Sequence, residues 1–219
     1  MERGKFITFE GIEGVGKSTN MAVFAERLEA AGHRVLLTRE PGGTPVAEDI
    51  RDLVKNRADE PVPEIAELLL IFAARSFHVN NVIVPALDAG TWVVSDRFTD
   101  SSRAYQGGGR GVPMETIDRL ADWVHGDTWP DLTVLLDAPV DVGMARAGRR
   151  GTADRFEREQ HEFFERVRAC YLEIAEREAE RFVVLDAAGS LEDVSGAVMQ
   201  LADAVTARTS MINYFISKL

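Results

Sequence analysis

Short apolar runs alternate along this chain with longer stretches whose apolar residues recur every three or four positions. The runs predict strands over Lys5–Glu10, Arg34–Thr38, Trp92–Ser95, Leu132–Leu136 and Phe182–Leu185. Between them the helical period predicts a helix from Lys17 to Ala31, stopped by Gly32, and another to Asn56 that Thr44 caps and Pro45 opens. Pro61 and Pro63 precede a helical stretch from Glu64 to His78, and a further piece ends at Gly90. Helices follow around Asp100–Gln106 and Met114–His125, then after Pro139 into an arginine-rich segment, Arg146–Arg155. Glu157–Glu180 aligns Phe164, Val167, Tyr171 and Ile174 on one face, and Ser190 with Asp193 has capping-box spacing before the last helix. Leu132–Leu136 is apolar without alternation, as a strand buried on both faces would be. Such strands belong to parallel sheets with helices on either side, so the predicted class is α/β.

The chain has 219 residues, a length that predicts a single domain. Its net charge of −11 argues against a nucleic-acid binder, which needs a basic face to displace counterions. The lone Cys170 can form neither an internal disulfide nor a structural zinc site. No apolar run is expected to approach the roughly 20 residues that span a bilayer, and the N-terminus lacks an apolar leader. The cytoplasm is the expected compartment, with no membrane partner. The last residues, Met211–Leu219, carry the apolar side chains Ile212, Tyr214, Phe215 and Ile216.

Gly11-Ile12-Glu13-Gly14-Val15-Gly16-Lys17-Ser18 fits the G-x-x-x-x-G-K-[ST] phosphate loop, with a strand before it and a helix after. Glycines let successive N–H groups turn inward around anionic oxygens, and the helix N-terminus adds partial positive charge. Lys17 would reach the β- and γ-phosphates and Ser18 would ligate Mg²⁺; Thr19 completes the nucleotide-binding stretch. Asp96 ends the third strand, where an acid of Walker-B type meets the metal; a strand-end aspartate capping a turn is the plainer alternative. Asp137 at the end of the fourth strand reads as structural. Arg146, Arg149, Arg150 and Arg155 could be ordinary solvated arginines, but beside a phosphate loop they suit a short mobile lid, over about 146–157, that neutralises transferring phosphate. No Asn is followed by Lys, which removes the guanine motif of a Ras-like GTPase, and the H-R-D segment of protein kinases is missing.

Beyond the loop, Thr38-Arg39-Glu40-Pro41-Gly42-Gly43-Thr44, Phe72-Ala73-Ala74-Arg75, Asp96-Arg97-Phe98, Ser101 to Gly111, Pro130-Asp131-Leu132-Thr133 and Asp154-Arg155-Phe156 make the chain resemble thymidylate kinase over nearly its whole length. The resemblance implies the P-loop NTPase fold with a doubly wound five-stranded parallel sheet, a homodimer, Mg²⁺, ATP as donor and dTMP as acceptor. It implies that Glu13 approaches the sugar 3′-hydroxyl and phosphates, that Arg97 bridges the two substrates, and that Arg51 meets the acceptor phosphate. Arg75 would bond the thymine edge, with Ser102 and Gln106 on its other polar atoms; Glu40 and a cis Pro41 line the same pocket. Tyr105 would crowd a 2′-hydroxyl. Many members place an aromatic four residues before this arginine; here Ile71 stands there and Phe72 follows, so either could form the base platform. Gly14 replaces the loop arginine of some members, a subtype whose catalytic arginines come from the lid, here Arg149, Arg150 and Arg155. The acceptor is already an anion near neutral pH, so no general base is expected.

Overall fold

The structure is a computed structural model that describes residues 2–56, 61–148, 155–156 and 159–207. Among these, β1 (Phe6–Glu10) leads through the glycine-rich loop into α1 (Lys17–Ala30), β2 (Val35–Arg39) and α2 (Pro45–Asn56). A long helical rod follows: α3 (Glu64–His78), a π-helical stretch Val79–Ile83, and α4 (Val84–Asp88). β3 (Trp92–Asp96) precedes α5 (Thr99–Ser102), a second π-helical stretch Arg103–Gly109, and α6 (Met114–Val124). The chain continues through β4 (Leu132–Asp137), α7 (Val140–Ala147), α8 (His161–Arg177), β5 (Phe182–Asp186) and α9 (Leu191–Thr206).

The strands form one parallel sheet in the order β2-β3-β1-β4-β5. Right-handed crossovers then send the connection after β1 to one face and those after β3 and β4 to the other. The chain ends of β1 and β3 therefore open a crevice at the switch point where ligands bind in such sheets. α1 packs on α9 over one face, with Phe24, Leu28, Val198 and Leu201 buried. Phe9 of β1 meets Phe24 edge-on at 5.4 Å. α8 buries Phe164, Val167, Tyr171 and Ile174, the residues that its period aligned. Each such side chain contributes roughly 1.5–3 kcal/mol by leaving water.

Caps formed where the spacing placed them. The Thr44 hydroxyl accepts from Ala47 N–H at 3.2 Å, and Ser190 with Asp193 makes the reciprocal box. The α3–α4 rod is the one departure in kind. Across Glu64–Asp88 it is long and apolar enough, at a mean hydropathy of 1.4, to cross a membrane by length and composition. Yet it carries Glu67, Arg75 and His78 fully buried in protein contacts, the mark of a core helix. Both π-helical stretches adjoin site residues; the one at Arg103–Gly109 carries Tyr105 and Gln106 inward.

Candidate active site

The phosphate loop springs from the buried end of β1. Gly14 shows why its glycines are required: its φ is +78°, and a Cβ there would lie 1.9 Å from the Gly143 carbonyl oxygen of α7. The side chains of Ile12 and Val15 are buried, so both serve the loop through their backbone. Lys17 Nζ donates to the carbonyls of Gly11 (3.1 Å) and Ile12 (2.9 Å) inside the cradle. Burial and the neighbouring Arg97 push its pKa down to about 8. A cavity of about 720 Å³, its open mouth included, is lined by this loop, Ser18, Thr19, Arg51, Lys55, Asp96 and Arg97.

Ser18 donates to Asp96 Oδ2 at 3.4 Å, while Asp96 Oδ1 is buried without a partner among the described residues. An orphaned carboxylate oxygen beside a hydroxyl suits Mg²⁺, which takes one or two protein ligands and fills its shell with water and phosphate oxygens. Among the described residues, no group of three or more His, Cys, Asp or Glu side chains is placed to hold a metal ion.

Arg97 is the hub. It directly follows Asp96 and sits at φ 73°, a left-handed conformation that costs a non-glycine residue about 1–3 kcal/mol and must be held by its surroundings. Its backbone N–H reaches Phe9 O at 3.0 Å. Nη1 donates to Gly11 O (3.1 Å), Ser101 (3.2 Å) and the Tyr171 hydroxyl (3.3 Å); Nη2 donates to Glu13 (2.8 Å) and the Tyr105 hydroxyl (3.0 Å). The Tyr105 hydroxyl in turn donates to Glu13 Oε2 at 2.6 Å. Beneath this layer Glu10 is wholly buried, accepting from Phe98 N–H (2.8 Å), Ser101 (2.5 Å) and Tyr171 (2.7 Å). Burial, with Asp100 nearby, raises its pKa to about 7.

On the far side of Arg97 lies a second cavity of roughly 660 Å³ with its mouth included. Arg75 closes its deep end. Its Nε donates to Glu40 (2.7 Å) and its Nη2 to Ser102 (3.1 Å), its guanidinium lies between the rings of Phe72 (4.5 Å) and Phe98 (5.1 Å), and its Nη1 is buried without a partner. Glu40 also meets His78 Nδ1 at 2.9 Å; although burial opposes its charge, Arg75 and His78 hold its carboxyl below the usual range. The Glu40–Pro41 peptide is cis, and the Pro41 carbonyl accepts from Arg51 at 2.7 Å. Glu13, Arg51, Lys55, Asp96 and Arg97 line both cavities, so two anionic ligands would meet there.

A family model described as thymidylate kinase matches residues 9–198. The chain belongs to the thymidylate kinase family. A thymidylate kinase of Pseudomonas fluorescens (strain Pf-5) is 54% identical over 191 residues, covering 87% of this chain and 91% of that protein. One from Nitrosomonas europaea is 51% identical over 203 residues, covering 93% and 94%. The crystal structure of the Ehrlichia chaffeensis thymidylate kinase superposes with a TM-score of 0.74 at 34% identity, covering 91% of this chain and 98% of that one.

Of the residues that the thymidylate kinase resemblance assigned to the acceptor, the structure gathers Glu13, Glu40, Pro41, Arg51, Ile71, Arg75, Arg97, Ser102, Tyr105 and Gln106 around one cavity. Phe72 is the exception. It lies behind Arg75, in a core cluster with Leu68 and Ile117, so Ile71 supplies the wall on that side. The two positions are adjacent on a helix, and only one of them can face the cavity.

The arginines of the predicted lid separate. Arg146 donates to the carbonyls of Ala187 (2.6 Å), Ala188 and Gly189 after β5. Arg149 and Arg150 lie outside the described residues. Arg155 bonds Glu67 of α3 and the Val54 carbonyl (2.8 Å), stacks on Phe156, and is not among the residues lining the phosphate cavity. Asp137 is held by a bidentate Arg168 at 2.7 and 2.8 Å, a structural role as expected. Burial raises the Cys170 thiol, leaving it an unreactive core residue. Sequence reading missed Glu10, Tyr171, Glu67 and Phe156. Three of them had a signal: Glu10 abuts the phosphate loop in Phe9-Glu10-Gly11, Glu67 is an acid one turn inside the apolar α3 stretch, and Phe156 adjoins the Asp154-Arg155 pair.

Proposed function

We propose that this chain transfers the γ-phosphoryl group of ATP to the phosphate of dTMP, giving ADP and dTDP. The observation that carries the reading is the junction of the two cavities at Arg97 and Glu13, with a buried donor left open at the deep end of one of them. ATP phosphates occupy the loop, where Lys17 exchanges its two carbonyl contacts for phosphate oxygens. The acceptor phosphate takes Arg51 and Arg97. Arg75 Nη1 donates to thymine O4, and the Gln106 carbonyl oxygen accepts from N3–H. Tyr105, pinned by Glu13 and Arg97, packs against the sugar and leaves no room for a 2′-hydroxyl.

Phosphoryl transfer of this kind is positioning and charge neutralisation, with little covalent work for the protein. Arg97 spans both phosphates from a guanidinium that is already ordered, so little reorganisation is needed as charge shifts. Ser18 and Asp96 would hold Mg²⁺, which supplies electrostatic neutralisation of the triphosphate. Arg149, Arg150 and Arg155 are the proposed lid contributions, Arg155 after release from Glu67. The exposed Ile65, Leu69 and Phe77 of α3 and Val46 and Leu53 of α2 are apolar faces suited to a second copy of this chain, a homodimer that light scattering would register at twice the 24.2 kDa mass. The compartment that fits these substrates is the cytoplasm.

The test is ADP release with Mg²⁺–ATP across a panel of monophosphates and a no-acceptor control. Strong turnover with dTMP, weaker with dUMP and little with CMP, AMP or GMP is expected. ADP release that ignores every acceptor would make the chain an ATPase instead.

A further inference from the structure

Glu67 is fully buried in α3 and does not line the acceptor cavity, yet three side chains from two other parts of the chain, Gln106 with Arg110 and Arg155, converge on it. Its Oε1 accepts from Gln106 Nε2 at 2.7 Å. Its Oε2 accepts from Arg155 Nη2 and lies 3.5 Å from Arg110 Nη2. A carboxylate removed from water this completely is costly unless its partners compensate it, and two guanidinium groups do so here.

We infer that Glu67 is a positioning residue for acceptor recognition, setting the polarity of the Gln106 amide and, through Arg155, the place of the Phe156 ring. The inference rests on the dTMP reading above. An amide side chain is two-faced: either end can be turned to a ligand. A carboxylate is an acceptor only, so the Gln106 end facing Glu67 must be its NH₂, and the carbonyl oxygen is left for the cavity that Gln106 lines. Beside the open Nη1 donor of Arg75, this makes a donor–acceptor pair. Thymine, with O4 beside N3–H, is its complement. Cytosine, with N4–H₂ beside a bare N3, opposes both members.

The second arm runs through Arg155. Its backbone N–H donates to Lys55 O at 3.2 Å, and its guanidinium lies 4.6 Å from the centre of the Phe156 ring. Phe156 lines the cavity and meets Tyr105 edge-on at 6.2 Å. One buried acid thus fixes the base-reading amide and, for as long as Arg155 stays bonded to it, an aromatic wall, without touching ligand.

The experiment compares kcat/KM for dTMP and dCMP in the wild type and Glu67→Gln. An amide at 67 can donate or accept, so Gln106 is free to turn. The dTMP:dCMP ratio is expected to fall about ten-fold, the worth of one neutral hydrogen bond, chiefly through KM for dTMP, while KM for ATP stays within about two-fold. In a Gln106→Ala background the same substitution should cause no further loss of discrimination. Should Glu67→Gln melt non-cooperatively, Glu67→Asp keeps the charge but withdraws the carboxylate from Gln106 by one methylene, and the same fall is expected. An unchanged ratio in a folded variant, or additive losses in the double variant, overturns the role of Glu67 and leaves a core ion pair. A wild type that prefers another monophosphate overturns the acceptor reading instead, and with it the polarity assigned to Gln106.

Discussion

Replacing Glu40 with glutamine removes one charge from the acceptor pocket and changes almost nothing in shape. Glu40 and Arg75 are both nearly inaccessible, with side-chain exposures of 2% and 1%, and their ion pair spans 2.7 Å. Removing one partner of such a pair leaves the other charge buried and uncompensated, which costs about 3–5 kcal/mol. In a domain of this size each kcal/mol moves Tm by about 2–4 °C, so thermal denaturation should show a loss of roughly 6–20 °C at neutral pH. The sign with pH follows from the direction of the shift. Arg75 and His78 lower the Glu40 pKa against the opposing effect of burial, so its contribution is present above the ordinary carboxylate value of 4.5 and is lost as pH falls through the lower folded value. The gap between wild type and variant should therefore close in acid. KM for dTMP should rise, since Glu40 aims the guanidinium whose Nη1 faces the base, while KM for ATP should hold. The exposed pair Arg119–Glu115, at 72% and 75% exposure, is the control: Glu115→Ala should move Tm by less than about 2 °C. A Glu40→Gln protein that melts with the wild type and binds dTMP as well would refute the reasoning about this pocket.

Other expectations follow from the phosphate side. Lys17, with a pKa near 8, is charged below that pH and neutral above it, so kcat/KM for Mg²⁺–ATP should decline on the alkaline side of about pH 8; a flat profile to pH 9.5 would contradict this. Gly143→Ala would bring a Cβ within 2.6 Å of the Glu13 carbonyl, and overpacking of about 1–3 kcal/mol should lower Tm and raise KM for ATP; unchanged values would show that α7 yields. Chelation by EDTA should abolish turnover reversibly, and Asp96→Asn should raise the Mg²⁺ concentration needed for half-maximal rate; wild-type metal dependence would clear Asp96 of that role.

What was legible in the sequence was what is local. The phosphate loop is contiguous, and its glycines answer a backbone demand that any reader can check, as Gly14 against Gly143 shows. Apolar runs located the five strands to within about a residue; β1 and β4, buried on both faces, leave no ambiguity of phase, and β2 at the half-exposed edge was found from its short apolar run alone. The helical face at Ile71 and Phe72 was not legible. Adjacent apolar residues on a helix differ by about 100° in direction, and only the stacking of Phe72 on Arg75 settles which one meets the cavity. The layer under Arg97 was out of reach for another reason. Tyr171 reaches Glu10 across 161 residues of sequence, and no spacing rule encodes that contact. Arg155 reads as one of a run of arginines until Glu67, 88 positions away, is seen to hold it.

Transfer of the γ-phosphoryl group to dTMP is read most directly by following the label. With γ-³²P-ATP, Mg²⁺ and dTMP, the label should appear in the β-phosphate of dTDP in step with ADP, with little inorganic phosphate. Label released as inorganic phosphate, with dTMP recovered unchanged, would contradict it.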